Sequence, residues 1–178
     1  MTSPTISVAT PADAERVAAL AAVTFALACP PGTAAEAIEQ FIAQNLSAAR
    51  FEEYLADAGR CVLLADVGGE ASGYTMLVFA DPHADIDSVL SLRPTVELSK
   101  VYVHARHHGA GIAAPLMSET LAAATERGAA GVWLGVNKQN AKAIRFYEKS
   151  GFAVVGSKTF QLGPELHDDH VMERALVH

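Results

Sequence analysis

The stretch VYVHARHHGAGIA, residues 101–113, decides how this chain folds. Residues Thr95 to Val103 are rich in β-branched side chains and predict a central strand. A glycine-bearing turn follows. From Gly111 to Arg127 the residues Ile112, Leu116, Thr120 and Ala124 recur at helical spacing, and Gly128 ends the run. A strand that enters a helix through such a turn leaves the first helical N–H groups without internal partners, where they can bind a pyrophosphate. Gly109 and Gly111 let the backbone approach a ligand with no Cβ in the way. Pro115 fits the first helical turn, which makes no use of the missing N–H. An ordinary tight turn is the competing reading.

A second stretch, WLGVNKQNAKAIRFYEKSGF at residues 133–152, reads as a strand from Gly131 to Asn137 and a helix from Asn140 to Ser150. Asn140 and Tyr147 stand two helical turns apart, roughly 10 Å along one face. An asparagine at a helix start can cap it or bind a ligand amide, and a phenol can donate a proton. Equally, Asn140 can be a cap alone and Tyr147 a core aromatic.

Taken together the two stretches resemble the GNAT superfamily of acetyl-CoA-dependent N-acetyltransferases. Its pyrophosphate motif, Gln/Arg-x-x-Gly-x-Gly/Ala, aligns with His108, Gly109, Ala110, Gly111, Ile112 and Ala113, with His108 departing from the pattern. The helix carrying Asn140 and Tyr147 and ending at Phe152 looks like the second hallmark. The resemblance implies an α/β (α+β) fold: one N-acetyltransferase domain over residues 1–178, with helices around a mixed, mostly antiparallel sheet splayed between its two central strands. It implies that the backbone of Val101 and Val103 bonds the pantetheine arm of acetyl-CoA and that Gly109 to Ala114 hold the pyrophosphate, with Tyr102 and His108 also beside the bound molecule. Asn140 would contact the same molecule, and Tyr147 would be general acid for the leaving thiolate. Glu97 matches a place where some members keep a general base. Its competing role is a solvated residue or an ion-pair partner of Lys100 or Arg145. By strand alternation it shares a face with Ser99. A second family position for a glutamate falls at Gly135, which cannot be a base.

Composition agrees with such an enzyme. The 178 residues are 51% hydrophobic and 19% charged, enough for one buried core and too apolar for a disordered tail. The net charge of −7 argues against nucleic acid as a partner. No apolar run has the length and flanks of a membrane span, and the first residues lack a signal-peptide pattern, so a cytoplasmic location is expected. Two cysteines, Cys29 and Cys61, suit buried thiols in a reducing compartment. Neither the histidines at 104, 107 and 108 nor the HDDH stretch at 167–170 offers a distant convergent partner, so no metal is expected, and both clusters read as exposed turns. Arg106 to His108 would add positive charge beside the phosphates.

Elsewhere the pattern predicts a strand at Ile6–Ala9 and helices at 12–28, 33–46 and 47–56. A hairpin of Cys61–Val67 with Gly73–Phe79 follows, then a polar surface loop at 81–93. Strands at 152–162 and 171–177 close the chain. The expected acceptor is a small primary amine. The segment ELSKVYV and the stretches WLGV and DHVM look most like bacterial spermine/spermidine acetyltransferases, and Asp81, Asp85 and Asp87 suit a polycation. A protein N-terminus or lysine as acceptor, and a non-catalytic acyl-CoA sensor, stay open as alternatives. So does the oligomeric state, a homodimer included.

Overall fold

A computed structural model describes residues 3–107 and 111–177. The chain opens with β1 (Thr5–Val8), α1 (Ala14–Ala28), α2 (Ala35–Asn45) and α3 (Ala48–Ala56). Then come β2 (Arg60–Val67), β3 (Glu70–Val78), the short α4 (Ala84–Asp87) and β4 (Thr95–Val103). After α5 (Ala113–Glu126), β5 (Gly131–Asn137) and α6 (Ala141–Lys149) it ends in β6 (Ala153–Leu162) and β7 (Glu165–Ala175). One sheet takes the order β1-β2-β3-β4-β5-β7-β6, antiparallel at every junction except β4–β5. The mixed, mostly antiparallel α+β fold is therefore the one expected.

Alternation along β2 and β3 sorts the core into two layers. Val62, Leu64, Tyr74 and Met76 pack against α1–α3, with Phe51 and Leu20 among their neighbours. Leu63, Ala65 and Leu77 pack on the other face with Leu116 of α5 and Tyr147 of α6. A buried hydroxyl pair, Thr75 to Thr120 at 2.7 Å, ties α5 to β3. The β2–β3 hairpin turns through Gly68 and Gly69, at φ +59° and +82°, the left-handed geometry that a two-residue hairpin loop requires.

Four expectations need correction. Pro11–Asp13 forms a separate 3-10 turn, braced by the Thr10 N–H donating to Asp13 Oδ2 at 2.9 Å, so α1 begins at Ala14 rather than Ala12. The helix read from Gly111 begins at Ala113. The last strand begins at Glu165, not Val171. Its first four residues pair with β6 alone, one face in water, so their polar pattern reads as a turn. The HDDH stretch accordingly lies within β7. Finally, residues 81–93 are pinned rather than loose. They contain α4, they bury Ile86 and Leu90 against Trp133 and Val171, and the Glu173 carboxylate accepts N–H bonds from Ser91 and Leu92 at 3.0–3.1 Å.

Candidate active site between the central strands

Parallel pairing of β4 with β5 lasts for three residues, Thr95 with Gly131, Val96 with Val132 and Glu97 with Trp133. Beyond that point β5 turns away with β7 while β4 stays on β3. The resulting splay opens into a cavity of about 790 Å³, walled by α1, α2 and α6, the start of α5 and the inner ends of β6 and β7. Glu97 sits at its apex.

Expected ligand-binding residues line this cavity wherever the structure describes them: Val101, Tyr102 and Val103 from β4, and Gly111 to Ala114 from the turn and helix start. His108, Gly109 and Ala110 lie outside the described residues. Gly111 adopts φ +75°, a left-handed conformation that favours glycine. The N–H groups of Ala113 and Ala114 belong to the first turn of the helix, where no carbonyl of the helix itself can accept them, and among the described residues Leu116 N–H bonds back to Ile112 O at 3.2 Å. That is a fitting cradle for a pyrophosphate.

Asn140 takes the capping role read from its position, and its place on the cavity wall leaves the ligand role open to it. Its Oδ1 accepts the Ala143 N–H at 3.2 Å, capping α6, and the residue also lines the cavity. Tyr147 likewise belongs to the core and to the cavity wall. It is 8% exposed, its ring lies between those of Phe146 and Phe152 at 5.7 and 6.0 Å, and burial pushes its hydroxyl well above the ordinary phenol range. A phenol so placed keeps its proton at any neutral pH.

Burial raises the Glu97 carboxyl above the usual carboxylate range, against the pull of the cations Lys158, Lys100 and Arg60 and of His83. Among the described residues no cation lies within ion-pairing distance of it, so neither Lys100 nor Arg145 holds it in a salt bridge. The alternation that places Glu97 and Ser99 on one face is modified by a bulge. Leu98 opposes Leu77, Lys100 opposes Met76, and Ser99 is the extra residue between them. Glu97, Ser99 and Lys100 therefore all turn toward the cavity. Val96 and Leu98 before the bulge, and Val101 and Val103 after it, pack in the core beside α5, and of these Leu98, Val101 and Val103 also reach the cavity wall. Desolvation brings the Lys100 ammonium down to about 8.

Two charged residues of the cavity wall, Lys158 and Asp169, were not read from the sequence as neighbours of Glu97. Lys158 Nζ lies 3.4 Å from Asp169 Oδ2. Asp169 is 8% exposed, and burial raises its carboxyl while Lys158 lowers it. The Lys158 stem crosses Gly135, where an added Cβ would collide with Cε, so a lysine occupies the room that a glutamate on β5 would have used. A reader who took 165–170 as strand would have found the pair, because Lys158 and Asp169 are register partners.

Asp81, Asp85 and Asp87 do not reach the cavity wall, and Asp87 is paired with Arg93 at 2.6 Å. Cys29 does reach it, with its thiol raised by burial, and Cys61 is buried in the core. His107 lines the cofactor end. Among the described residues, no group of three His, Cys, Asp or Glu is placed to hold a metal ion, and no helix is long and apolar enough to cross a membrane.

The sequence matches the profile of the acetyltransferase (GNAT) family over residues 26–152. It is 49% identical over 165 residues to an uncharacterized N-acetyltransferase of Mycobacterium tuberculosis, which covers 93% of this chain and 99% of that one. The L-methionine sulfoximine/L-methionine sulfone acetyltransferase of Salmonella typhimurium is 34% identical over 96 residues, 54% of this chain and 52% of its own. Among solved structures, the PaiA N-acetyltransferase from Thermoplasma acidophilum, in complex with coenzyme A, superposes with a TM-score of 0.78 at 20% identity, over 97% of this chain and 99% of that one.

Proposed function

Because this chain belongs to the acetyltransferase (GNAT) family, and is thereby an acetyl-CoA-dependent N-acetyltransferase, we propose that it moves the acetyl group directly onto a small primary amine at the apex of the β4–β5 splay. The observation that carries this reading is the three-residue limit of β4–β5 pairing. It leaves Glu97 and Tyr147 on the walls of one cavity with the start of α5.

Acetyl-CoA supplies an activated thioester, and the chain's own residues do the rest. The backbone of Val101 to Val103 would hold the pantetheine arm as an added strand, the Ala113 and Ala114 N–H groups the pyrophosphate, and Asn140 the neighbouring amide. A primary amine has a pKa of about 10, so roughly one molecule in a thousand is neutral at pH 7. Glu97 would take the excess proton, directly or through water, and its raised pKa suits that task. Holding the amine against the carbonyl can contribute about 7 kcal/mol or more, so direct attack needs no covalent enzyme intermediate. A backbone N–H near Val103 would stabilise negative charge on the carbonyl oxygen. Tyr147, protonated at neutral pH, would donate to the departing sulfur.

The test is a panel of amines with acetyl-CoA, measuring released CoA thiol and N-acetylated product together. Spermidine, amino acids, small monoamines and a peptide with a free N-terminus separate the acceptor classes. Stoichiometric thiol and acetylated small amine are expected. Spermidine turnover would favour the polyamine reading, and peptide turnover a protein acceptor. Tight acetyl-CoA binding without turnover on any arm would leave a sensor.

A further inference from the structure

We propose that the acceptor is zwitterionic, an amine bearing a carboxylate as in an amino acid, and that Lys100 is the residue that reads the carboxylate. This rests on the acetyltransferase reading above and names the substrate class of the same cavity.

The cavity wall carries two acids, Glu97 and Asp169, and three lysines, of which Lys142 stands on α6 and has interactions of its own. Lys158 and Asp169 close on each other at 3.4 Å, which leaves Glu97 and Lys100 to face an incoming molecule. The bulge at Ser99 produces that pairing of faces. Under unbroken alternation through Ser99, Lys100 would share a face with Leu98, which packs in the α5 core. Each side chain feels the other, yet among the described residues Lys100 makes no ion pair and no hydrogen bond. It is half-buried, opposite Met76, under a lid of α1 and α2 that supplies Phe25, Leu27 and Phe41. Desolvation depresses its pKa, the sign of a cation held without its full complement of counter-charge. Arg60 adds positive charge nearby and is itself held by Asp57 at 3.2 Å.

Charge complementarity then selects the substrate. A substrate ammonium delivered to Glu97 neutralises one of the two unmatched groups and leaves Lys100 exposed to repulsion. A second ammonium, as in a polyamine, makes this worse. A carboxylate beside the amine neutralises both. The named activity of the Salmonella relative, on methionine derivatives, is of this class.

The experiment compares kcat/KM, at saturating acetyl-CoA, for L-amino acids, L-methionine sulfone included, against their carboxamides and against spermidine. The wild type is expected to favour carboxylate over carboxamide on the order of 10²-fold. Lys100→Met should bring that ratio close to one through the KM for the carboxylate, and Lys100→Arg should restore most of it. Equal or better turnover of carboxamides or spermidine by the wild type overturns the proposal, as does a Lys100→Met protein that keeps the preference. If Lys100→Met melts out of the working range, the wild-type ratio and Lys100→Gln decide on the same terms. Thiol release from carboxamides or spermidine alone refutes this inference and leaves the acetyltransferase reading standing. No release with any amine refutes both.

Discussion

Glu97 and Tyr147 lie in surroundings that press both toward keeping a proton, and in the proposed mechanism that one condition would suit them to opposite uses. A carboxylate with a raised pKa is the better base once ionised, so the rate should climb as pH passes through a value above the usual carboxylate range. Glu97→Gln should lower kcat/KM by about 10²-fold or more near neutral pH and less at alkaline pH, where free amine is plentiful. A profile that scales without changing shape would assign deprotonation to water alone. Stability carries the same sign in reverse. The stability that goes with a raised folded-state pKa is present below the unfolded value and lost as pH rises through the folded one. Glu97→Gln should therefore melt higher than wild type at pH 7, with the gap closing toward pH 4, as read from thermal scans across pH. Tyr147→Phe keeps the ring against Phe146 and Phe152 and removes only the hydroxyl. It should cost on the order of 10²-fold in kcat, with melting temperature and acetyl-CoA affinity unchanged. Near-normal turnover would make Tyr147 a packing residue.

The strand–turn–helix around residues 101–126 makes its own prediction at the scale of elements. Gly111→Asp puts a carboxylate beside the helix start, where the pyrophosphate would sit, at a left-handed φ that itself costs about 1 kcal/mol for most residues. Gly111→Asn bears a similar backbone cost without the charge. Calorimetry with acetyl-CoA should show a dissociation constant at least about 10-fold weaker for Asp than for Asn; equal values would remove the phosphate from this turn. This element, like α6 with its cap Asn140, was legible because glycine, cap and apolar period all point the same way. Other elements were not. The Ser99 bulge is invisible to an alternation rule, since Glu97 and Ser99 fall on one face with or without it; only the pairing with β3 reveals that Lys100 joins them. The start of β7 is polar because it flanks a single strand, and polarity reads as turn. Residues 81–93 owe their order to Glu173, eighty residues onward, a contact that no local window contains. Glu173→Ala would strand two N–H groups at a cost of roughly 1–3 kcal/mol each, lowering the melting temperature by several degrees.

Across the whole molecule, the sheet divides the helices into α1–α3 on one face and α5 with α6 on the other, and the splay is where the two layers meet. The division of labour follows. On the proposed reading, the second layer would bring the helix start, Asn140 and Tyr147 to the acetyl donor, while the first, with the bulged strand, would bring apolar walls and Lys100 to the acceptor. The central claim is that the thioester of acetyl-CoA ends at the apex of that splay. A crystal structure of the protein with acetyl-CoA tests it most directly. The account predicts pantetheine amides on the backbone of β4 at Val101, the pyrophosphate on the Ala113 and Ala114 N–H groups, and the thioester between Tyr147 and the space before Glu97. A cofactor seated on any other surface, or a thioester turned away from Glu97, would contradict it.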